Sequence, residues 1–247
     1  RAIAVVYQGH LVGERYATGF SKDTPLLGWS LTKSVTNALV GIAVGEGKLA
    51  IDKPPPVPEW QTPDDPRRRI TLDQLLRMSS GLRFNEDYSS PLVDVARMLF
   101  GSSDMAAYAA AKPQQAAPEM RWSYSSGDTL IVSRALRQAI GAADYAAFPR
   151  RALFDRLGMR SALIETDASG TFVGSSFMYA TARDWARFGL LYLGDGVVGG
   201  QRILPPGWVA YSRTPTLAAP AQQYGAHFWL KLPTDYLREA GLPPLPA

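Results

Sequence analysis

Ser30-Leu31-Thr32-Lys33 places a hydroxyl and an amine three residues apart. On a helix such positions share a face, with about 5–6 Å between their Cβ atoms, so the amine reaches the hydroxyl. A serine hydroxyl is a poor nucleophile without a base in hydrogen-bond reach. A free lysine, with a pKa near ~10.4, is a poor base at neutral pH. Burial penalises the charged form of a lysine and makes it a better one. A nucleophile at a helix N-terminus has backbone N–H groups nearby that can stabilise an oxyanion. Ser-x-x-Lys alone is not specific, since Ser30 also fits a plain helix N-cap. The surroundings narrow the choice: Lys33 is one of six lysines, and Leu26-Leu27-Gly28-Trp29 and Ser34-Val35 beside it are apolar or small.

Tyr124-Ser125-Ser126, between Arg121-Trp122-Ser123 and Gly127-Asp128, forms a second candidate group. A tyrosine beside a serine–lysine pair can pass a proton to a leaving group as general acid. The same residues also fit a polar turn that caps a helix through Ser125 or Ser126.

The elements that must hold these residues are readable from the pattern. Ile3, Val5, Tyr7 and Leu11, Val12, Tyr16 around Gln8-Gly9-His10 predict a β-hairpin over 2–19. Leu31, Val35, Ala38, Leu39 and Ile42 predict a helix from Ser30, stopped by Gly45 and Gly47. Prolines at 54–56, 58, 63 and 66 make 52–69 a loop. Thr71 and Gln74 form a capping box for a helix running to Gly81, and 82–94 is a polar loop. Helical patterns follow at 92–112, 127–141 and 144–157, then a helix over 182–193 capped by Thr181, and a strand over Tyr224–Leu230. The order predicts an α+β fold: an antiparallel sheet flanked by helices and shared by the first and last parts of the chain, with a mostly helical lobe inserted. One catalytic domain is expected over 1–247, with 1–29 and about 200–247 as the sheet lobe and about 45–170 as the helical lobe.

Composition removes other chemistries. The 247 residues include no cysteine and two histidines, which excludes thiolate catalysis and gives no dense metal-ligand cluster. The formal charge of +4 has one tight basic run, Arg67–Arg69, too small for a nucleic-acid footprint. No run reaches the ~18 apolar residues of a membrane span. No targeting signal is visible, so cytoplasm and periplasm both remain open. A Ser–His–acid triad has only His227 as its base, and Gly28-Trp29-Ser30-Leu31-Thr32 lacks the second glycine of a nucleophile elbow.

Ser30-Leu31-Thr32-Lys33-Ser34, the run Ile70–Leu82 with Ser79-Ser80-Gly81-Leu82 at its end, Tyr124-Ser125-Ser126-Gly127, Leu157-Gly158-Met159 and the stretch Tyr179–Leu193 occur in that order. Together they resemble the serine β-lactamase and penicillin-binding-protein superfamily over nearly the whole chain. The closer likeness is to its β-lactamase-related hydrolase branch of class C β-lactamases, D-alanyl-D-alanine peptidases, family VIII esterases and 6-aminohexanoate-dimer hydrolases. The resemblance implies a β-lactamase/transpeptidase-like fold and an acyl-enzyme on Ser30, with Lys33 as the activating base and Tyr124 as a second acid/base. It implies substrate-binding roles for Ser126, where many relatives carry asparagine, and for Tyr88, where nylon-oligomer hydrolases carry a substrate-contacting tyrosine. It implies a small amide or ester substrate and no metal or organic cofactor, and leaves the oligomeric state open. A β-lactamase or D-alanyl-D-alanine carboxypeptidase is the alternative activity. A catalytically silent binding or sensor module on the same scaffold is the alternative of another kind. Relatives carry a late Lys-Thr-Gly or His-x-Gly strand motif that has no counterpart here, so the chain is expected to be incomplete at both ends, with C-terminal strands missing.

Overall fold

Residues 1–231 are described by the computed structural model; the patternless tail expected at 241–247, and with it the end of the expected sheet lobe, lies outside the described residues. Strands β1 (Ala2–Tyr7) and β2 (His10–Tyr16) form the predicted hairpin. Its two-residue turn has positive φ at both Gln8 and Gly9, the geometry that matches strand twist. The half-buried face of β1 carries Ala2, Ala4 and Val6, while Ile3, Val5 and Tyr7 point outward. Arg183 clamps the hairpin by donating from Nε and Nη2 to the two carboxylate oxygens of Glu14, at 2.8 and 2.6 Å.

Strand β3 (Leu26–Leu27) leads directly into helix α1 (Leu31–Gly45). Residues 32–43 of α1 are all buried, so the helix runs through the interior rather than along a surface. Helix α2 (Leu72–Leu76) starts with the predicted capping box between Thr71 and Gln74. It does not reach Gly81: Met78 turns left-handed, and the backbone of 78–81 pairs instead with 115–123, through Ser123 N–H to Met78 O and Gln115 N–H to Gly81 O. The expected helix at 92–112 is two, α3 (Asp94–Gly101) and α4 (Met105–Ala110), because Asp104 caps a new start by accepting from Ala107 N–H. Helix α5 (Ser126–Ile140) packs against α1, α2 and α4. The pattern at 144–157 resolves into α6 (Ala142–Tyr145), a π-turn at Arg150–Phe154 and α7 (Asp155–Leu157), ended as expected by left-handed Gly158.

Strands β4 (Leu163–Ile164) and β5 (Met178–Ala180) complete an antiparallel sheet of order β3-β5-β4. Helix α8 (Ala182–Leu193) follows, capped by Thr181. Next come the small hairpin β6 (Val197–Val198) and β7 (Gln201–Arg202), and α9 (Trp208–Arg213). The fold is α+β, as expected. One expectation of detail differs: residues 224–230 are not a strand but a tight loop closed by a single Tyr224–Trp229 bridge. Among the described residues β1 and β2 pair only with each other.

Asn37 ties α1 to the last third of the described chain. Its side chain is fully buried. Oδ1 accepts from the Tyr192 hydroxyl (2.6 Å), Trp208 Nε1 (2.9 Å) and Ser212 Oγ (3.1 Å), and Nδ2 donates to Ala226 O (2.9 Å).

Candidate active site

Ser30 stands at the N-cap of α1 with helical backbone angles and makes no side-chain cap bond, which leaves its Oγ free. Two neighbours set its position. Gly28 donates its N–H to Met178 O at 2.8 Å, and a Cβ there would lie 2.4 Å from the Trp185 ring, so only glycine fits. Trp29 has φ +44°, a left-handed conformation that is costly for a bulky residue and is held here by the flanking pairing.

Lys33 is 1% exposed, and its Nζ reaches three oxygens: Ser30 Oγ (3.1 Å), Ser126 Oγ (3.0 Å) and Ser175 O (3.1 Å). Ser125 takes the capping role at α5 by accepting from Asp128 N–H, and this frees the Ser126 hydroxyl to face Lys33. Ser126 Oγ in turn donates to Glu86 Oε1 at 2.5 Å, and Ser126 N–H donates to Glu86 Oε2 at 2.7 Å. The Tyr88 hydroxyl donates to Glu86 Oε1 at 2.7 Å. An unbroken ladder therefore runs Ser30–Lys33–Ser126–Glu86–Tyr88.

Tyr124 approaches from the side. Lys33 Nζ lies 4.8 Å from the centre of its ring, and the ring packs with Trp122, Tyr224 and Trp229 at centroid distances of 6.4, 5.7 and 5.3 Å. Its hydroxyl has no protein hydrogen-bond partner among the described residues. All five candidate residues are thus brought together, Tyr124 by ring contact rather than by its hydroxyl.

Sequence reasoning missed Glu86 and the Ser175 carbonyl. Glu86 lies in a loop without periodicity, and its one sequence signal is an acid two positions before Tyr88. A backbone carbonyl has no residue-type signal at all. The expected cluster of oxyanion donors is also narrower. The N–H groups of Leu31, Thr32 and Lys33 bond the carbonyls of Gly28, Trp29 and Ser30, leaving the Ser30 N–H without a protein acceptor among the described residues.

His227, the one candidate base for a triad, is 2% exposed and serves as a staple instead. Its Nδ1 lies 3.1 Å from Lys33 O, which can only accept, so Nδ1 carries the proton; Nε2, 3.1 Å from Thr129 Oγ1, is then the acceptor. Its backbone bonds Leu76 O and Ser34 Oγ. Neither ring nitrogen meets Ser30, which removes the triad alternative.

Burial, then the neighbouring Lys33, pushes the His227 imidazole from 6.5 down to about 3. Burial pushes the Asp128 carboxyl from 3.8 up to about 7, against hydrogen bonds from Ser80 and Ser125. For His227 the unfolded chain binds the extra proton, so stability falls as pH drops from about 6.5 to about 3, by ~1.4 kcal/mol per unit. For Asp128 the folded state holds the extra proton, so stability falls as pH rises from about 3.8 to about 7, with the same slope. The two contributions cancel between about pH 4 and 6.5. Urea unfolding at a series of pH values checks this. Relative to wild type, Asp128→Asn gains stability with rising pH in that window and His227→Asn loses it; parallel curves for all three proteins contradict the assignment.

A profile of the Beta-lactamase family matches residues 2–242. The chain is 26% identical over 228 residues to a 6-aminohexanoate-dimer hydrolase of Paenarthrobacter ureafaciens, covering 84% of this chain and 55% of that protein. It is 30% identical over 259 residues to protein Rv1367c of Mycobacterium tuberculosis, covering 85% of this chain and 64% of that one. The chain thus spans between half and two thirds of the length of these curated relatives. Among solved structures, the octameric penicillin-binding protein homologue from Pyrococcus abyssi superposes with a TM-score of 0.71 at 18% identity, over 92% of this chain and 59% of that one. A D-stereospecific amidohydrolase from Streptomyces sp. gives 0.66 at 19% identity, over 85% and 72%. No helix among the described residues is long and apolar enough to cross a membrane.

Proposed function

The chain belongs to the Beta-lactamase family, and on that premise we propose that it is a serine hydrolase cleaving a small amide or ester through an acyl-enzyme on Ser30. Ser30 Oγ attacks the carbonyl carbon while its proton passes to the amine of Lys33. The oxyanion meets the Ser30 N–H. Tyr124 delivers a proton to the leaving amine or alcohol, and the C–N or C–O bond breaks. Water then attacks the ester carbonyl and gives a proton back to Tyr124, the bond between the acyl carbon and Ser30 Oγ breaks as Lys33 returns its proton to that oxygen, and the acid leaves. Tyr88 and Ser126 border the bound substrate, and Ser126 also links Lys33 to the Glu86 carboxylate.

The observation that carries this is the buried Lys33 Nζ at 3.1 Å from Ser30 Oγ and 3.0 Å from Ser126 Oγ. The similarity to a 6-aminohexanoate-dimer hydrolase supports amide or ester chemistry over β-lactam cleavage. A fluorophosphonate probe followed by peptide mass spectrometry tests the nucleophile: an adduct is expected on Ser30 and lost in Ser30→Ala. Absence of any adduct favours a silent binding module.

Glu86→Gln keeps the shape but replaces a charged acceptor with a neutral one. A hydrogen bond to a charged group is worth about 1.5–3 kcal/mol, so kcat is expected to fall roughly 10–100-fold and the melting temperature by a few degrees, since the same bonds tie Glu86 to the start of α5. An unaltered kcat would take Glu86 out of the mechanism.

A further inference from the structure

We infer that an apolar acyl subsite adjoins Ser30, so that the substrates are esters or amides of uncharged, medium-length carboxylic acids. Its occupant is argued from the hydrolase reading above, whereas the cavity itself is independent of that reading. The cavity has a volume of about 340 Å³ and is walled by Trp29, Tyr88, Pro91, Val95, Leu99 and Phe100. That is within the roughly 300–1,000 Å³ of small-molecule sites. No charged side chain lines it. Its polar groups are the Tyr88 hydroxyl, the Trp29 indole N–H and Ser90, whose Oγ already accepts from Leu92 N–H.

The cavity is joined to the ladder at three points. Trp29 directly precedes Ser30, and its left-handed backbone accompanies a ring that is half exposed. Phe177, two residues after the Ser175 carbonyl that Lys33 contacts, packs at 6.1 Å from the rings of both Trp29 and Phe100. Tyr88 lines the cavity while its hydroxyl bonds Glu86. The wall is thus continuous with the groups that would hold the reacting carbonyl.

Trp29, Tyr88, Leu92 and Phe100 are exposed by 52, 69, 68 and 73%. Such a concentration of apolar surface marks a binding site rather than an ordinary solvent face. An ammonium or carboxylate placed against this wall would find no charged partner there. The second cleft, of about 580 Å³, is its opposite: Tyr124 and Glu86 line it together with Arg83, Asp87, Asp94 and Arg121. A leaving group protonated by Tyr124 lies on that polar side, which gives the apolar cavity to the acyl chain. With each water-sized group occupying ~30 Å³, the cavity of about 340 Å³ has room for a chain of up to about eleven carbons.

The test measures kcat/KM for p-nitrophenyl acetate, butyrate, hexanoate and octanoate, and for the 6-aminohexanoate ester. A buried methylene is worth about fourfold, so hexanoate is expected to exceed acetate by at least ~50-fold and the aminohexanoate ester by at least ~10-fold. Ala96→Phe, which fills the cavity from α3, and Phe100→Ala, at an exposed position, both lower the hexanoate-to-acetate ratio at least ~5-fold. A calorimetric titration of Ser30→Ala with N-butylhexanamide and N-butylacetamide reads binding without catalysis, and the longer acyl chain is expected to bind at least ~10-fold tighter. A flat ester series, or equal or undetectable binding of the two amides, overturns the subsite. Tighter binding of the hexanamide with no ester of any length cleaved supports the subsite and overturns the hydrolase reading instead.

Discussion

Lys33→Ala is expected to lower kcat/KM by roughly 10⁴–10⁶-fold, the range seen when one member of a nucleophile–base unit is removed. Lys33 is the one amine within hydrogen-bond distance of Ser30 Oγ among the described residues, and no histidine nitrogen or carboxylate is in position to replace it. Truncation also leaves Ser126 Oγ and Ser175 O without their buried donor, so a stability loss of about 2–4 kcal/mol accompanies the kinetic one. Thermal melting separates the two effects, since a folded and inactive protein is expected. Lys33→Arg sharpens the experiment. A guanidinium keeps the positive charge but cannot accept a proton at any accessible pH, so it should be as inactive as alanine. Near-normal activity in the alanine variant would rule out Lys33 as the base, and recovery by arginine would reduce its role to charge alone.

Tyr124→Phe is expected to reduce turnover by about 10²–10⁴-fold, the usual worth of one general acid. Phenylalanine keeps the ring that packs on Trp122, Tyr224 and Trp229, and the hydroxyl it removes has no protein partner among the described residues, so the melting temperature should hold. The loss should depend on the leaving group. An alkyl amine or alkoxide needs a proton to depart, whereas p-nitrophenolate does not, so amides and alkyl esters should suffer far more than p-nitrophenyl esters. An equal, small loss across both classes would remove Tyr124 from proton transfer.

Much of the architecture was legible because it depends on local patterns. The hairpin turn at Gln8-Gly9, the Thr71–Gln74 capping box, the Thr181 cap and the Gly158 stop are short-range devices, and each stands where its residues imply. Helix lengths were less legible because tertiary partners overrode the periodicity. Met78 leaves α2 when residues 115–123 offer its backbone other bonds, and Asp104 divides one amphipathic stretch into two helices. Ser30 and Lys33 could be paired because one helix carries both. Ser126 comes to Lys33 from 93 residues away, and nothing in Ser125-Ser126 says which serine caps the helix and which turns to the lysine. Glu86 was silent for the same reason: its significance lies in what the fold sets opposite it.

The arrangement around Asn37 also bears on how the molecule comes apart. One amide oxygen takes donors from α8 and α9, and the amide nitrogen holds Ala226, next to the His227 staple. If α9 alone were to detach, that oxygen would lose two of its three donors, at about 0.5–1.5 kcal/mol each, on top of the lost packing. Local opening of this region is therefore coupled to opening of the nucleophile helix. Amide protons of α1, α8 and α9 are then expected to exchange as a single cooperative unit, with the helix that carries Ser30 and Lys33 anchored by residues up to nearly two hundred positions further along the chain.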